Sequence, residues 1–187
     1  MMKPSLTFTI LLAVGTLCVA SMSSASDALT LHNPGFENQL NDWDNQEDGG
    51  MSKVTSEAAH GGKFGLRVTD DSDLAGSGLY SQKIPVSGGK TYQVQCWYRT
   101  LSGSGIGLYL RFLRADGKMI APTTEEDKAA DRTPVAEADK NQGSWAQLSG
   151  KKTAPAEATM MVIYIHSYSK HKVMADFDDF AVTEVAK

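Results

Sequence analysis

Between residues 64 and 185 the chain is built from short alternating stretches, each stopped by Gly, Ser, Asn or Asp. Apolar and polar residues alternate over 64–68. A second stretch, 79–86, ends at Ser87-Gly88-Gly89, and a third, 91–100, turns through 101–105. A fourth, 106–114, stops at Ala115-Asp116-Gly117, and others cover 145–153, 159–167 and 172–185. A strand points successive side chains to opposite faces, so a period of two bounded by turn residues predicts half-buried strands. No stretch sustains a helical period. The pattern predicts an all-β fold, a two-sheet antiparallel sandwich, without internal repeats. The one long irregular segment, 121–143, mixes acids, bases, alanines and two prolines. It reads as a surface insertion, and loops of this length are usually functional or mobile.

The first residues have a different character. Met1-Met2-Lys3 is a short basic start, Leu6 to Ala20 is apolar, and small residues follow to Ala28. That order predicts a signal peptide over 1–26, cleaved after Ala25 or Ser26, and therefore a secreted protein, extracellular or periplasmic. The run is shorter than the roughly 20 apolar residues of a membrane span. The remaining residues, 27–187, have the size of one domain. Of the two cysteines only Cys96 stays in it, so no intramolecular disulfide can staple the fold. A formal net charge of −4 leaves no electrostatic footprint for nucleic acid.

Parity separates inside from outside. On 91–100, Tyr92, Val94, Cys96 and Tyr98 form the more apolar set and are expected in the core, leaving Gln93, Gln95, Trp97 and Arg99 outside. On 106–114 the core set is Ile106, Leu108, Leu110 and Phe112, with Tyr109, Arg111 and Leu113 opposite. On 159–168, Met161, Ile163 and Ile165 turn inward, and Val162, Tyr164, His166 and Tyr168 turn outward. Trp43 and Trp145 lie near strand starts and read as core or edge packing. On the last strand Asp178 shares its parity with Phe180 and Val182. It either faces inward and needs a cation or several N–H donors, or a bulge at Asp178-Asp179 turns both acids to water.

Four stretches in order carry a resemblance: Asn33-Pro34-Gly35-Phe36-Glu37 with Leu40 and Trp43; 59–68; 84–99 with Cys96-Trp97-Tyr98-Arg99; and Phe177-Asp178-Asp179-Phe180. Together they resemble the carbohydrate-binding modules of the family 4/9/22 type, over about residues 29–185. The resemblance implies a galactose-binding-like jelly roll that binds a polysaccharide or oligosaccharide without catalysis. Cys96 departs from it by standing where a bulky apolar residue is usual, and the insertion after Met119 is long. The resemblance also implies a structural calcium ion held by Glu37, Asp178 and the main chain near His60 and Lys63. Carboxylate and carbonyl oxygens suit that ion.

If the strands at 91–100, 106–114 and 159–168 are neighbours, as in such jelly rolls, one outer face collects Gln93, Gln95, Trp97, Arg99, Tyr109, Arg111, Tyr164 and His166. Aromatic faces stack on the C–H face of a pyranose, while amide and guanidinium donors bond its hydroxyls. Trp97 is expected to be its exposed stacking platform. Against this stands the possibility that the 121–143 insertion folds over the sheet and covers its aromatics. The enzyme alternative is a small polysaccharide lyase using Gln95, Arg99, Arg111, Tyr164 and His166 on a uronate. A surface adhesion or assembly protein is the third class.

Overall fold

A computed structural model describes residues 27–138 and 143–186. The expected signal peptide lies outside the described residues. Among the described residues eleven strands form two antiparallel sheets, all-β as the alternation predicts, with one α-helix inserted. The strands are β1 (Trp43–Asp44), β2 (Ser52–Thr55), β3 (Gly65–Asp70), β4 (Leu79–Ser81), β5 (Ile84–Pro85), β6 (Thr91–Gly103), β7 (Ile106–Leu113), β8 (Ala136–Glu137), β9 (Ala146–Thr153), β10 (Met160–Ser167) and β11 (Val173–Val185). The five-stranded sheet runs β2-β3-β11-β6-β9. The six-stranded sheet runs β1-β4-β10-β7-β8, with β5 also paired to β10.

The parity sets for the core are those observed. Val94 and Cys96 of β6, Leu108 and Leu110 of β7, and Ile163 and Ile165 of β10 are all buried between the sheets. A fully buried Leu or Ile contributes roughly 1.5–3 kcal/mol, so one interdigitated layer accounts for stability in a domain whose one described cysteine, Cys96, is free. Tyr92 is buried as well; its hydroxyl donates to Ser87 O at 3.3 Å and accepts from Ser87 N at 2.8 Å. That closes the turn before β6.

Three elements differ from the sequence expectation. The stretch 79–86 is two pieces, β4 and β5, both paired to β10. At the break, Ser81 Oγ accepts from Ile163 N at 2.9 Å, taking the place of a ladder bond. The insertion contains a helix, α1 (Glu125–Arg132), with no buried residue and hence no apolar period to read. Its start is fixed by a capping box between Thr124 and Asp127. Thirdly, a bulge interrupts β11: the register against β6 shifts between Asp178 and Ala181, and Asp179 has φ 52°. One extra residue inverts the parity beyond it. Phe177 before the bulge and Phe180 after it are therefore both core residues. Asp178 shares the outward side of Asp176, yet is wholly buried, while Asp179 is exposed. The bulge is present and turns Asp179 to water, but Asp178 does not face the core with Phe180 and Val182; it is buried on the outer side, where N–H donors of the 60–61 loop meet it.

Candidate functional site

The eight residues expected on one face are divided between two. β7 and β10 are adjacent in the six-stranded sheet, but β6 belongs to the other sheet. Gln93, Gln95, Trp97 and Arg99 thus lie on the opposite outside of the sandwich from Tyr109, Arg111, Tyr164 and His166. The outward parity was right for all eight, and their common face was not.

On the six-stranded sheet, strand register lines up the aromatics. Tyr164 of β10 is paired with Tyr109 of β7 on one side and with Tyr80 of β4 on the other. The Tyr80 and Tyr164 rings stack at 4.3 Å and 10°, and Tyr164 stacks on His166 at 5.0 Å and 17°. The Arg111 guanidinium lies 5.2 Å from the Tyr109 ring centre and 5.7 Å from that of Tyr164. His166 Nδ1 is 2.5 Å from Ser77 O and 2.9 Å from Tyr164 Oη. A carbonyl only accepts, which assigns a hydrogen to Nδ1. Ser77 is itself held by β10: Ser77 N donates to Ser167 Oγ at 2.6 Å, and that hydroxyl donates to buried Asp70 at 2.6 Å.

A cleft of about 760 Å³ opens over this row, lined among others by Tyr80, Arg111, Met119, Asp131, Lys152 and Tyr164. Its far wall is the insertion. Asp131 of α1 pairs with Arg111 and, at 3.6 Å, with Lys152 Nζ. The insertion also covers part of the sheet. Tyr109 is buried, its hydroxyl donating to Arg132 O at 3.4 Å, so it is a packed residue and not the exposed contact expected of it. His166 stands behind Tyr164, outside the cleft lining. Of the eight, Arg111 and Tyr164 face the cleft. Tyr80, Asp131 and Lys152 were missed. Burial raises the Tyr164 phenol, with Tyr80 beside it adding to the effect, and burial likewise raises Tyr80 and Tyr109. These phenols stay protonated in neutral water and offer rings and hydroxyls, not a base.

The four β6 residues sit in a different setting. His60 lies flat on Trp97 at 4.2 Å and 14°, and edge-on to Trp145 at 5.1 Å. Trp97 is half-buried under a loop and is not an exposed platform. Arg99 Nε donates to Asp176 Oδ2 at 2.8 Å, its guanidinium also meets Glu57 O, and its Cζ lies 4.7 Å from the Trp145 ring centre. Gln93 Nε2 donates to Ser149 Oγ at 2.8 Å. Gln95 is exposed. The lyase set is therefore not assembled, because Gln95 and Arg99 are a sheet away from Arg111, Tyr164 and His166.

Glu37 and Asp178 converge on one loop. Asp178 Oδ2 accepts from His60 N at 2.7 Å and Gly61 N at 3.0 Å, and Oδ1 from Asp179 N at 2.8 Å. Burial raises its pKa and these donors counter it. Glu37 Oε1 accepts from Lys63 N at 2.7 Å and Phe64 N at 3.0 Å, and the N–H groups of Phe64 and Lys63 hold its pKa below the usual range. The loop is shaped for this: a Cβ on Gly62, at φ +62°, would lie 2.2 Å from Glu37 Oε1. The carboxylates fit calcium in kind. Among the described residues, however, no three His, Cys, Asp or Glu side chains are grouped to hold a metal, so a cation here needs main-chain carbonyls to complete its shell. The side chain of His60 is engaged elsewhere, with Nδ1 2.7 Å from Asp179 Oδ2.

Comparison with known proteins agrees with the architecture. The chain is 26% identical over 149 residues to endo-1,4-beta-xylanase A of Thermotoga maritima, covering 80% of this chain but only 13% of that enzyme. Among solved structures it is similar to the CBM22-1 xylan-binding domain of Paenibacillus barcinonensis Xyn10C, with a TM-score of 0.59 and 17% identity over 87% of this chain and 97% of that one. It is also similar to a family 16 carbohydrate binding module, with a TM-score of 0.57 and 14% identity over 81% and 97% of the two chains. The model of the carbohydrate binding domain family matches residues 29–171, most of the described sandwich. With a jelly-roll sandwich, an aromatic-floored cleft and that match, the chain belongs to the carbohydrate binding domain family.

Proposed function

We propose that the cleft on the six-stranded sheet binds a β-1,4-linked polysaccharide such as a xylan along its length. The observation that carries this is the row Tyr80–Tyr164–His166 beside an open cleft of about 760 Å³. Its size falls within the roughly 300–1,000 Å³ of small-ligand sites. Tyr164 lies in the middle of the row, so the ring face offered to a pyranose is that of Tyr80, with Arg111 and Lys152 as hydroxyl donors. The xylanase and the xylan-binding domain described above support the choice of glycan. Calorimetric titration with xylohexaose, cellohexaose and β-1,4-galactotriose tests it: xylohexaose is expected to bind, and the absence of binding to all three rejects it.

Two further parts of the proposal concern setting and stability. The leader 1–26 exports the protein, and a fusion of it to a reporter enzyme is expected to carry the reporter out of the cytoplasm. Calcium, bound by Glu37 and Asp178 with main-chain oxygens of the 60–63 loop, adds stability through linkage between binding and folding. A chelator is expected to lower the melting temperature, and Glu37→Ala to abolish that response. An unchanged melting curve would leave the N–H donors as the loop's whole attachment.

A further inference from the structure

Asp131 stands where a helix disfavours it. It is the penultimate residue of α1, near the negative end of the helix dipole, where an acid is destabilising and a base is preferred. What it gains there is contact with two cations of the cleft wall. Arg111 pairs with one carboxylate oxygen, and Lys152 Nζ lies 3.6 Å from the other. All three side chains are largely shielded, at 21%, 27% and 29% exposure for Arg111, Lys152 and Asp131. Burial lowers the pKa of Lys152, and the Asp131 charge is the leading influence opposing it. Without Asp131, a guanidinium and an ammonium would face the cleft together, a geometry suited to a carboxylate.

We infer that Asp131 is a specificity-determining residue: carried in by the inserted helix, it occupies the anion position between Arg111 and Lys152 and so excludes uronate-bearing glycans in favour of neutral ones. The inference rests on the proposed carbohydrate reading of the cleft and deepens it. Asp127 and Glu157 also line the cleft, so its field is negative while Asp131 is in place. A uronate must displace Asp131 or meet acids with no cation left to receive it. A neutral xylan meets Arg111 as a hydroxyl donor and meets no repulsion.

The test compares xylohexaose, the same backbone bearing one glucuronic acid, and hexagalacturonate. Each is titrated into the wild-type protein, Asp131→Asn and Asp131→Ala at low and high salt. The wild type is expected to bind xylohexaose more tightly than either acidic ligand. Both variants are expected to shift the ratio of hexagalacturonate to xylohexaose affinity by roughly tenfold or more, a change of about 1.4 kcal/mol. The shift should shrink in high salt, and Lys152→Met added to Asp131→Asn should reverse it. Two variants are used because Asn keeps the shape of the side chain and Ala removes it, and melting curves identify any that fail to fold. An unchanged ratio in folded variants, with Tyr80→Ala still weakening xylohexaose binding, overturns the role of Asp131 alone. Xylohexaose binding that survives Tyr80→Ala overturns the cleft reading and this inference with it.

Discussion

The two outer faces of the sandwich carry nearly the same chemical vocabulary and use it differently. On the six-stranded sheet, Tyr80, Tyr164 and Arg111 border an open cleft. On the five-stranded sheet, Trp97, Trp145, Arg67 and Arg99 are consumed by one another and by their surroundings. Asp176, wholly buried, receives Arg67 Nε at 2.7 Å and Nη2 at 3.0 Å as well as Arg99 Nε at 2.8 Å. Arg67 also reaches Glu57 at 2.7 Å, and His60 closes over Trp97. An aromatic and an arginine are available to a ligand only where the chain leaves them unspent. The difference is made by what lies above each sheet: a loop fastened by Glu37 and Asp178 on one, and an inserted helix that stands as a wall on the other.

The largest expected break in this comparison is Asp176→Ala. It leaves two guanidinium groups facing each other without their shared acid, and removing one partner of a buried pair costs about 3–5 kcal/mol. Urea denaturation is expected to show the loss, with glycan affinity unchanged in the folded protein. Altered affinity would mean that the two faces communicate. Next is Tyr80→Ala, which is expected to weaken xylohexaose binding roughly 5- to 150-fold, the equivalent of about 1–3 kcal/mol of stacking area. Melting temperature is the control, since Tyr80 is only half-buried and points to the outer face of the sheet, away from the core. The smallest effect is expected from Trp97→Ala, which loses its stack with His60 and about 1–2 kcal/mol of stability. Glycan affinity should not change. A fall in affinity there would restore Trp97 as a platform and make the two faces functionally alike.

Trp97 also shows how far the sequence could be read. Alternation on β6 placed Val94, Cys96 and Tyr98 inside and Trp97 outside, and that is where they are. But a sandwich has two outsides, and parity does not distinguish them. The pairing of β6 with β9 and β11, whose partner residues lie 48 or more positions away in sequence, depends on contacts that periodicity does not encode. Tyr80 escaped notice because β4 is three residues long and gives a single alternation. Asp131 escaped because a helix without a buried residue leaves no apolar stripe. The signals that were present were Thr124-x-x-Asp127, the acids of its first turn and Arg132 in its last. The resemblance associated the 60–63 loop with Glu37 and Asp178 through a calcium ion; that its N–H groups would bond both carboxylates, and that His60 would cover Trp97, was not legible.

The bulge in β11 has a consequence for how the chain finds its register. A regular antiparallel strand of 13 residues can slide by two along its neighbour and keep every side chain on its proper face. β11 cannot. Its parity inverts at Asp179, so a slip of two places would drag the inversion out of line with the loop that caps Asp178, and would part Asp176 from Arg99 in the same movement. The irregularity works as a key in a keyway. Deleting Asp179 would give a smoother strand that fits in several wrong positions, and it is the slipped pairings, more than the lost hydrogen bond, that would populate the refolding mixture.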